Sequence, residues 1–241
     1  MRLQTSVGLT GAAFGALVLF LLHAGAVIAA DAGPADYPRM APLAQYLAPT
    51  PTDEIALARS AAPPTISQDA KILTLGPRGY VTAIPGKSGF VCLVERSWAK
   101  NFDSADFWNP KIRAPHCFNA AAARSVLPAY LKRTEWVLSG VSREDMLMRT
   151  KAELATHDIP APEVGAIAFM MSKQGYLGDD AHGPWHPHVM FYLPRTDPAA
   201  MGANVSGSPM LADPSVLEPM TVFFVPVTLW SDGTRSETAA H

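Results

Sequence analysis

The sequence predicts an α+β domain with a largely antiparallel sheet of about six strands and two main helices packed on one face. Segments with apolar residues at every second position form two groups, and two stretches with helical patterning lie between these groups. Short turns rich in glycine and proline join the first strands, as is typical of antiparallel neighbours. With 241 residues, of which 49% are hydrophobic and 17% charged, the chain has the length and composition of one globular domain.

The first group of predicted strands consists of "KILTL", "YVTAI" and "FVCLVER", at residues 71–75, 80–84 and 90–96. Two turns that contain glycine and proline, at residues 76–79 and 85–89, separate them. Because turns this short connect antiparallel strands, the three segments are expected to form a meander.

The helical stretches follow a longer connection. The first is predicted over residues 120–138, with Asn119 as its N-cap and Pro128 as a kink or break. The second is predicted to begin after Ser142, whose side chain can cap the helix, with acidic residues in its first turn.

The second group of predicted strands comprises "AIAFMM" from Ala166, "HVMFYL" from His188 and "TVFFVPVTLW" from Thr221. Between the last two, residues 195–219 are rich in Gly, Pro, Ala and Ser, which is typical of a surface loop. The strands, helices and strands therefore follow one another as expected of a single α+β domain.

The first thirty residues are predicted to be a secretory signal peptide. Arg2 precedes an apolar core at about residues 7–22, and small residues follow it as at a peptidase site. The alternative is an uncleaved membrane anchor, because the apolar run is nearly long enough to span a bilayer. The small residues favour cleavage, so the chain is predicted to be exported, periplasmic or secreted, with no membrane span after signal cleavage.

The mature chain is predicted to have three parts. Residues 31–64 form a Pro/Ala-rich N-terminal arm, in which a short helix begins near Thr52. Residues 65–232 form the single α+β domain, and residues 233–241 form a C-terminal tail.

The chain has two cysteines, Cys92 and Cys117. In an oxidising compartment a lone pair of cysteines most often forms a disulfide, and we predict that these two are bonded. The alternative of a reactive thiol or a metal thiolate requires a reducing environment. Closing a loop of about 25 residues stabilises the fold by roughly 3–4 kcal/mol in the chain-entropy model.

A histidine cluster is the leading candidate for a functional site. His186 and His188 are two residues apart in a predicted strand, so their side chains share a face, and His182 precedes them across a Gly-Pro turn. Three imidazoles with an open fourth position would form a catalytic zinc site, and zinc activates water for hydrolysis. Asp179 or Asp180 would serve as a fourth ligand or would orient a ligand histidine.

The alternative is that these histidines bind nothing and donate hydrogen bonds to backbone carbonyls. The strand that carries the histidines has two faces, one mixed and one apolar. The histidines lie on the mixed face, and the apolar face is expected to meet the core. The apolar face consists of Pro187, Val189, Phe191 and Leu193.

The connection at residues 97–119 has the pattern of neither a helix nor a strand, and it contains four aromatic residues: Trp98, Phe102, Phe107 and Trp108. They either cover a small-ligand site or pack the connection onto its own domain, and the second is favoured. His116 is interpreted as structural rather than as a ligand. Glu95 and Arg96 are adjacent on a strand and are predicted to lie at the surface or rim.

Four segments, "PTDEIALARSAAPPTIS", "GFVCLVERSW", "PAYLKRTEWVL" and "MMSKQGYLGDDAHGPWHPHVMFYLP", resemble a group of exported bacterial proteins of unknown activity. The resemblance covers most of the mature chain. It implies export and a single domain, and it implies no reaction, cofactor or catalytic residue.

Three functional hypotheses follow. The first is divalent-metal binding, with zinc as the cofactor and hydrolysis as the chemistry, and the second is a metal-free periplasmic module that binds a small molecule. The third is a structural envelope protein, so whether the chain is an enzyme stays open. Because the net charge is −2 and no run of Lys and Arg occurs, we predict no nucleic-acid partner.

Overall fold

The computed structural model describes residues 37–178, 186–214 and 217–237. The predicted signal peptide, the first residues of the arm and the last residues of the tail lie outside the described residues. So do Asp179, Asp180 and His182 of the proposed zinc site.

The described residues form one eight-stranded sheet in the order β2-β1-β3-β4-β5-β6-β8-β7. The strands are β1 (Lys71–Gly76), β2 (Gly79–Ile84), β3 (Val91–Glu95), β4 (Ala114–Phe118), β5 (Ile167–Met170), β6 (His188–Pro194), β7 (Leu211–Pro214) and β8 (Met220–Pro226). All neighbours are antiparallel except β1 and β3. The predicted mixture of helices with one largely antiparallel sheet is confirmed, and the predicted number of about six strands is wrong.

The two strands that were not predicted lack an alternating pattern. β4 has five consecutive buried residues and contains Pro115, so it shows neither alternation nor a full set of backbone donors. β7 is a four-residue edge strand that ends at a proline, inside the connection predicted to be a surface loop.

The predicted meander of the first three strands is also wrong, because β3 pairs with β1 in parallel on the side away from β2. The chain crosses the start of β1 after leaving β2. Gly86 lies against the backbone there, and a Cβ atom on it would be 2.1 Å from the Lys71 nitrogen. Only a glycine allows this close crossing, which puts β3 on the far side of β1.

The described residues contain five α-helices: α1 (Pro51–Arg59), α2 (Pro64–Ser67), α3 (Ala120–Ser125), α4 (Leu127–Leu138) and α5 (Arg143–Ala155). The Asn119 side chain caps α3 by accepting from the Ala122 nitrogen at 2.9 Å, and Ser142 caps α5. Both caps are as predicted, and the expected break near Pro128 separates α3 from α4. The helix expected near Thr52 begins at Pro51.

Helices cover both faces of the sheet. The inner face, as we name the side covered by α3 and α4, packs Phe118, Met190 and Tyr192 against Ala122 and Leu127. The opposite face packs against α1, through Ala58, Ile72, Cys92, Val94 and Cys117. A third apolar cluster joins α4 and α5 to the aromatic connection before β4. No helix within the described ranges is long and apolar enough to cross a membrane.

The predicted disulfide between Cys92 and Cys117 is confirmed. The two cysteines are direct register partners on β3 and β4, with their Cα atoms 4.0 Å apart. The bond therefore joins two central strands of the sheet.

Candidate functional site

A cavity of about 600 Å³ lies between the inner face of the sheet and helices α3 and α4. We call it the main cavity. Its apolar walls include Val126, Ala129, Met170, Met190 and Phe224. Its polar lining includes Glu95, His116, Tyr130, Arg133, Tyr192 and Glu218.

The register of β3 and β4 brings Glu95 and His116 together. Glu95 is opposite Ala114, and Leu93 is opposite His116. Because residues two apart on a strand share a face, Glu95 and His116 are diagonal neighbours on the inner face.

Glu95 and His116 form a buried pair in the wall of the main cavity. His116 Nδ1 lies 2.9 Å from Glu95 Oε2, although its N–H direction is not aligned with that oxygen. The two side chains are 7% and 5% exposed. Within the described part of the chain, His116 Nε2 and Glu95 Oε1 have no hydrogen-bond partner. Such buried polar atoms are rare in folded proteins and often mark a site that a ligand or water completes.

Two tyrosines stand beside this pair. Tyr130 on α4 and Tyr192 on β6 both line the main cavity, and the Tyr192 hydroxyl donates to Met190 Sδ at 3.8 Å. Burial, the largest cause, raises the pKa of both phenols above the ordinary value. Both tyrosines are therefore neutral O–H groups near pH 7.

The positive side chains that line the main cavity are each paired with a carboxylate. Arg96 pairs with Glu54 and Lys100 with Asp106. Arg133 forms a close ion pair with Glu218, and its guanidinium carbon lies 4.4 Å from the ring centroid of Phe102. The lining also has Asp103 and Asp213 at exposed positions. Because these positive side chains already have carboxylate partners and two further carboxylates line the cavity, an anionic ligand is disfavoured.

The structure places His188 on the side of β6 that faces the core, contrary to our prediction. Met190 and Tyr192, which share its face, are 4% and 1% exposed, whereas Phe191 on the other face is 41% exposed. Both faces of this strand are apolar enough to be buried, and helices α3 and α4 cover the one with the histidine. The face expected to meet the core was therefore the wrong one.

The zinc hypothesis stays a prediction. His188 Nδ1 lies 3.0 Å from the His186 carbonyl oxygen, and since that oxygen only accepts, Nδ1 carries the proton. A metal ion could then bind His188 only through Nε2. The described residues contain no group of three His, Cys, Asp or Glu placed to hold a metal, and His182, Asp179 and Asp180 lie outside them.

Three of the four aromatic residues proposed to cover a ligand are packed into the domain. Trp98, Phe107 and Trp108 are buried in the apolar cluster that includes α4 and α5. The Trp98 indole also donates to Thr134 Oγ1 at 2.9 Å. These contacts favour the alternative in which the aromatic residues pack the connection onto its own domain. Phe102 is half-buried and lines a second cavity of about 400 Å³ beside Arg133.

Sequence reasoning missed Glu95 and Arg96. Both were expected at the surface or rim, but they are 4% and 1% exposed. They do point in opposite directions, since Glu95 contacts His116 on the inner face and Arg96 binds Glu54 of α1. His116, interpreted as structural, lines the main cavity.

Acidification is expected to destabilise the metal-free fold through His188. Burial, the largest cause, lowers the pKa of His188 to about 4, against the effect of its hydrogen bond to His186. The ordinary value is 6.5, so the unfolded chain binds a proton first as the pH falls. The free energy of unfolding should therefore fall between pH 6.5 and about 4, by up to about 3 kcal/mol, and this contribution should then level off.

Guanidinium unfolding of chelator-treated protein at pH 7 and 4.5 measures this effect. A His188→Gln variant should lose less stability on acidification than the natural chain, because other titrating groups act equally in both. Equal losses in the two proteins would show that His188 is not the cause.

Comparisons with protein-family models, curated proteins and solved structures found no match to this chain.

Proposed function

We propose that this chain is an exported protein that binds a small, uncharged organic molecule in the main cavity, without a metal. The observation that carries the proposal is the cluster of polar atoms around Glu95 and His116. They are buried, they line the cavity, and three of them, Glu95 Oε1 and both ring nitrogens of His116, have no hydrogen-bond partner among the described residues.

A ligand that pairs with these buried atoms would be bound the more favourably for it. Leaving a buried donor or acceptor without a partner costs about 1–3 kcal/mol for each group. Glu95 Oε1 is an acceptor, and His116 Nε2 is one whenever the proton is on Nδ1. A ligand with an O–H or N–H group would satisfy them, as would ordered water.

Size and charge limit the ligand further. Small-molecule sites are usually about 300–1,000 Å³ and mostly apolar, with a few convergent polar groups. The main cavity, at about 600 Å³, has this size and this character. Because its Arg and Lys side chains are already paired, a neutral ligand fits better than an acid or a phosphate.

N-phenyl-1-naphthylamine is a suitable probe, because it is neutral and mainly apolar and has one N–H donor. Its fluorescence is expected to rise saturably with the purified protein. Ala129 lines the cavity from α4, so Ala129→Trp should fill the space and weaken binding about tenfold or more. Ala152→Trp is the matched control, because Ala152 is exposed on α5 and does not line the cavity.

Equal affinity in the two tryptophan variants would place the probe elsewhere and would contradict the proposal. Chelator is expected to leave the affinity unchanged. Loss of binding in chelator would instead support the zinc hypothesis.

A further inference from the structure

We propose that His116 is a catalytic base in the main cavity and that its substrate is a small, uncharged carboxylic ester. Glu95 is its positioning residue. The inference rests on the ligand-binding role proposed above and adds a reaction to it.

Glu95 and His116 are placed to act together. With Oε2 of Glu95 2.9 Å from Nδ1, the carboxylate favours a proton on that nitrogen and stabilises the positive charge that His116 acquires when Nε2 takes a second proton. Neither ring nitrogen makes an aligned hydrogen bond within the described residues. Because Nδ1 lies beside Glu95, Nε2 is the nitrogen available to a substrate or water, and the residue lines the cavity. The pair therefore has the arrangement of a base and its orienting carboxylate.

The two tyrosines are placed to act on the same substrate. Tyr130 and Tyr192 line the same cavity, and each keeps its O–H proton at neutral pH. Neutral O–H groups in an apolar enclosure can donate hydrogen bonds to a developing oxyanion. The cavity thus contains a base and oxyanion donors, which are the two parts that acyl transfer to water requires.

The reaction is hydrolysis, and the attacking water is its co-reactant. An O–H bond of the water breaks, the proton passes to His116 Nε2, and the oxygen electron pair forms a bond to the acyl carbon. The carbonyl π pair moves to the oxygen, where the tyrosines donate. The oxyanion electron pair then re-forms the carbonyl, and the carbon–oxygen bond to the leaving alcohol breaks with its electron pair moving to the alcohol oxygen. The proton returns from Nε2 to that oxygen, giving a carboxylic acid and an alcohol.

The charges of the lining favour an ester as the substrate. An ester is uncharged, which suits a cavity whose Arg and Lys side chains are paired. The carboxylic acid product loses its proton to water and becomes an anion, so the acidic lining favours its release.

The test is turnover of p-nitrophenyl acetate, followed by the release of nitrophenolate. Turnover is expected to be saturable in the natural chain, and His116→Gln should lower kcat/KM about a hundredfold. His157→Asn is the matched control: His157 is exposed, with φ at 61°, a conformation that asparagine tolerates. Its kcat/KM should equal that of the natural chain.

The positioning role of Glu95 is tested by measuring kcat and KM separately. Glu95→Gln should lower kcat with KM little changed, and Glu95→Asp should restore part of kcat because it returns the carboxylate. Equal falls in the Asp and Gln variants would remove Glu95 from the positioning role.

Binding of N-phenyl-1-naphthylamine separates the two proposals and reports whether each variant is folded. If the natural chain binds the probe but does not hydrolyse the ester, or if folded His116→Gln hydrolyses it at the natural rate, the reaction proposal is overturned and binding stands. If the natural chain does not bind the probe, the ligand-binding proposal also fails. If His116→Gln does not fold, the probe is tested as an inhibitor of ester turnover by the natural chain. Competitive inhibition would support the cavity as the site of the reaction, and the absence of inhibition would overturn the proposal.

Discussion

Replacing Glu54 by alanine is expected to lower the free energy of unfolding by about 3–5 kcal/mol. Glu54 is 2% exposed, and its two carboxylate oxygens accept from Arg96 Nη2 at 2.9 and 2.8 Å. Arg96 is 1% exposed. The variant would leave this guanidinium charge buried without a counter-ion, and such a loss costs far more than the removal of a surface contact.

The pair also connects three parts of the fold. Arg96 Nε donates to the Tyr46 carbonyl oxygen at 2.6 Å, and Glu54 lies in α1. The segment before α1, the helix itself and the end of β3 therefore share one buried network. The loss of one partner is expected to loosen α1 from its face of the sheet. The denaturant dependence of unfolding should then be smaller, because part of the surface is already exposed in the native state.

Guanidinium unfolding followed by circular dichroism measures the change, and the matched control is Glu163→Ala. Glu163 also receives two hydrogen bonds from an arginine, Arg124, at 3.0 and 2.6 Å, but that pair is exposed to solvent. Water and salt screen exposed pairs, so the control should change stability much less. If Glu54→Ala were no more destabilising than Glu163→Ala, the buried pair would not stabilise the fold as argued.

Local patterns predicted the elements whose signal is contained in a few neighbouring residues. The alternation in 71–75 and 80–84 and the capping side chains of Asn119 and Ser142 identified strands and helices that the structure contains. The missed strands have no such signal. β4 is buried along its whole length and β7 is a short edge strand, so their pairing depends on neighbours distant in sequence.

The choice of buried face also depends on tertiary packing. In β6 the side chains alternate as expected, but both sets contain residues that can enter a core. An alternating pattern shows which residues share a face of the strand. It does not show which of the two faces the helices cover. That is why His188 was assigned to the wrong side of the core.

The Glu95–His116 pair could have been predicted from the sequence, because the disulfide was predicted. Cys92 and Cys117 are register partners on adjacent antiparallel strands. If that pairing is assumed, Leu93 must face His116, and Glu95 becomes its diagonal neighbour. Residues 114–118 were not recognised as a strand. It was therefore not predicted that the two cysteines lie on neighbouring strands.

Reduction of the disulfide is expected to lower the free energy of unfolding by roughly 3–4 kcal/mol. The two cysteines are separated by 25 residues, and an open loop of that length gives the unfolded chain more conformational freedom. Guanidinium unfolding with and without reductant measures the effect. Cys92→Ala/Cys117→Ala is the control, because its stability should not respond to reductant. Equal sensitivity of the two proteins, or two reactive thiols in the unfolded and unreduced natural chain, would contradict the prediction.

The same bond is expected to affect the site, because β3 carries Glu95 and β4 carries His116. Without the disulfide, only hydrogen bonds and packing hold the register of these two strands. Under conditions in which the reduced protein stays folded, the affinity for N-phenyl-1-naphthylamine should fall only slightly, since the Cys92–Cys117 side chains lie on the opposite face, against α1. A complete loss of binding in a folded, reduced protein would show that the disulfide, rather than the sheet, positions the pair.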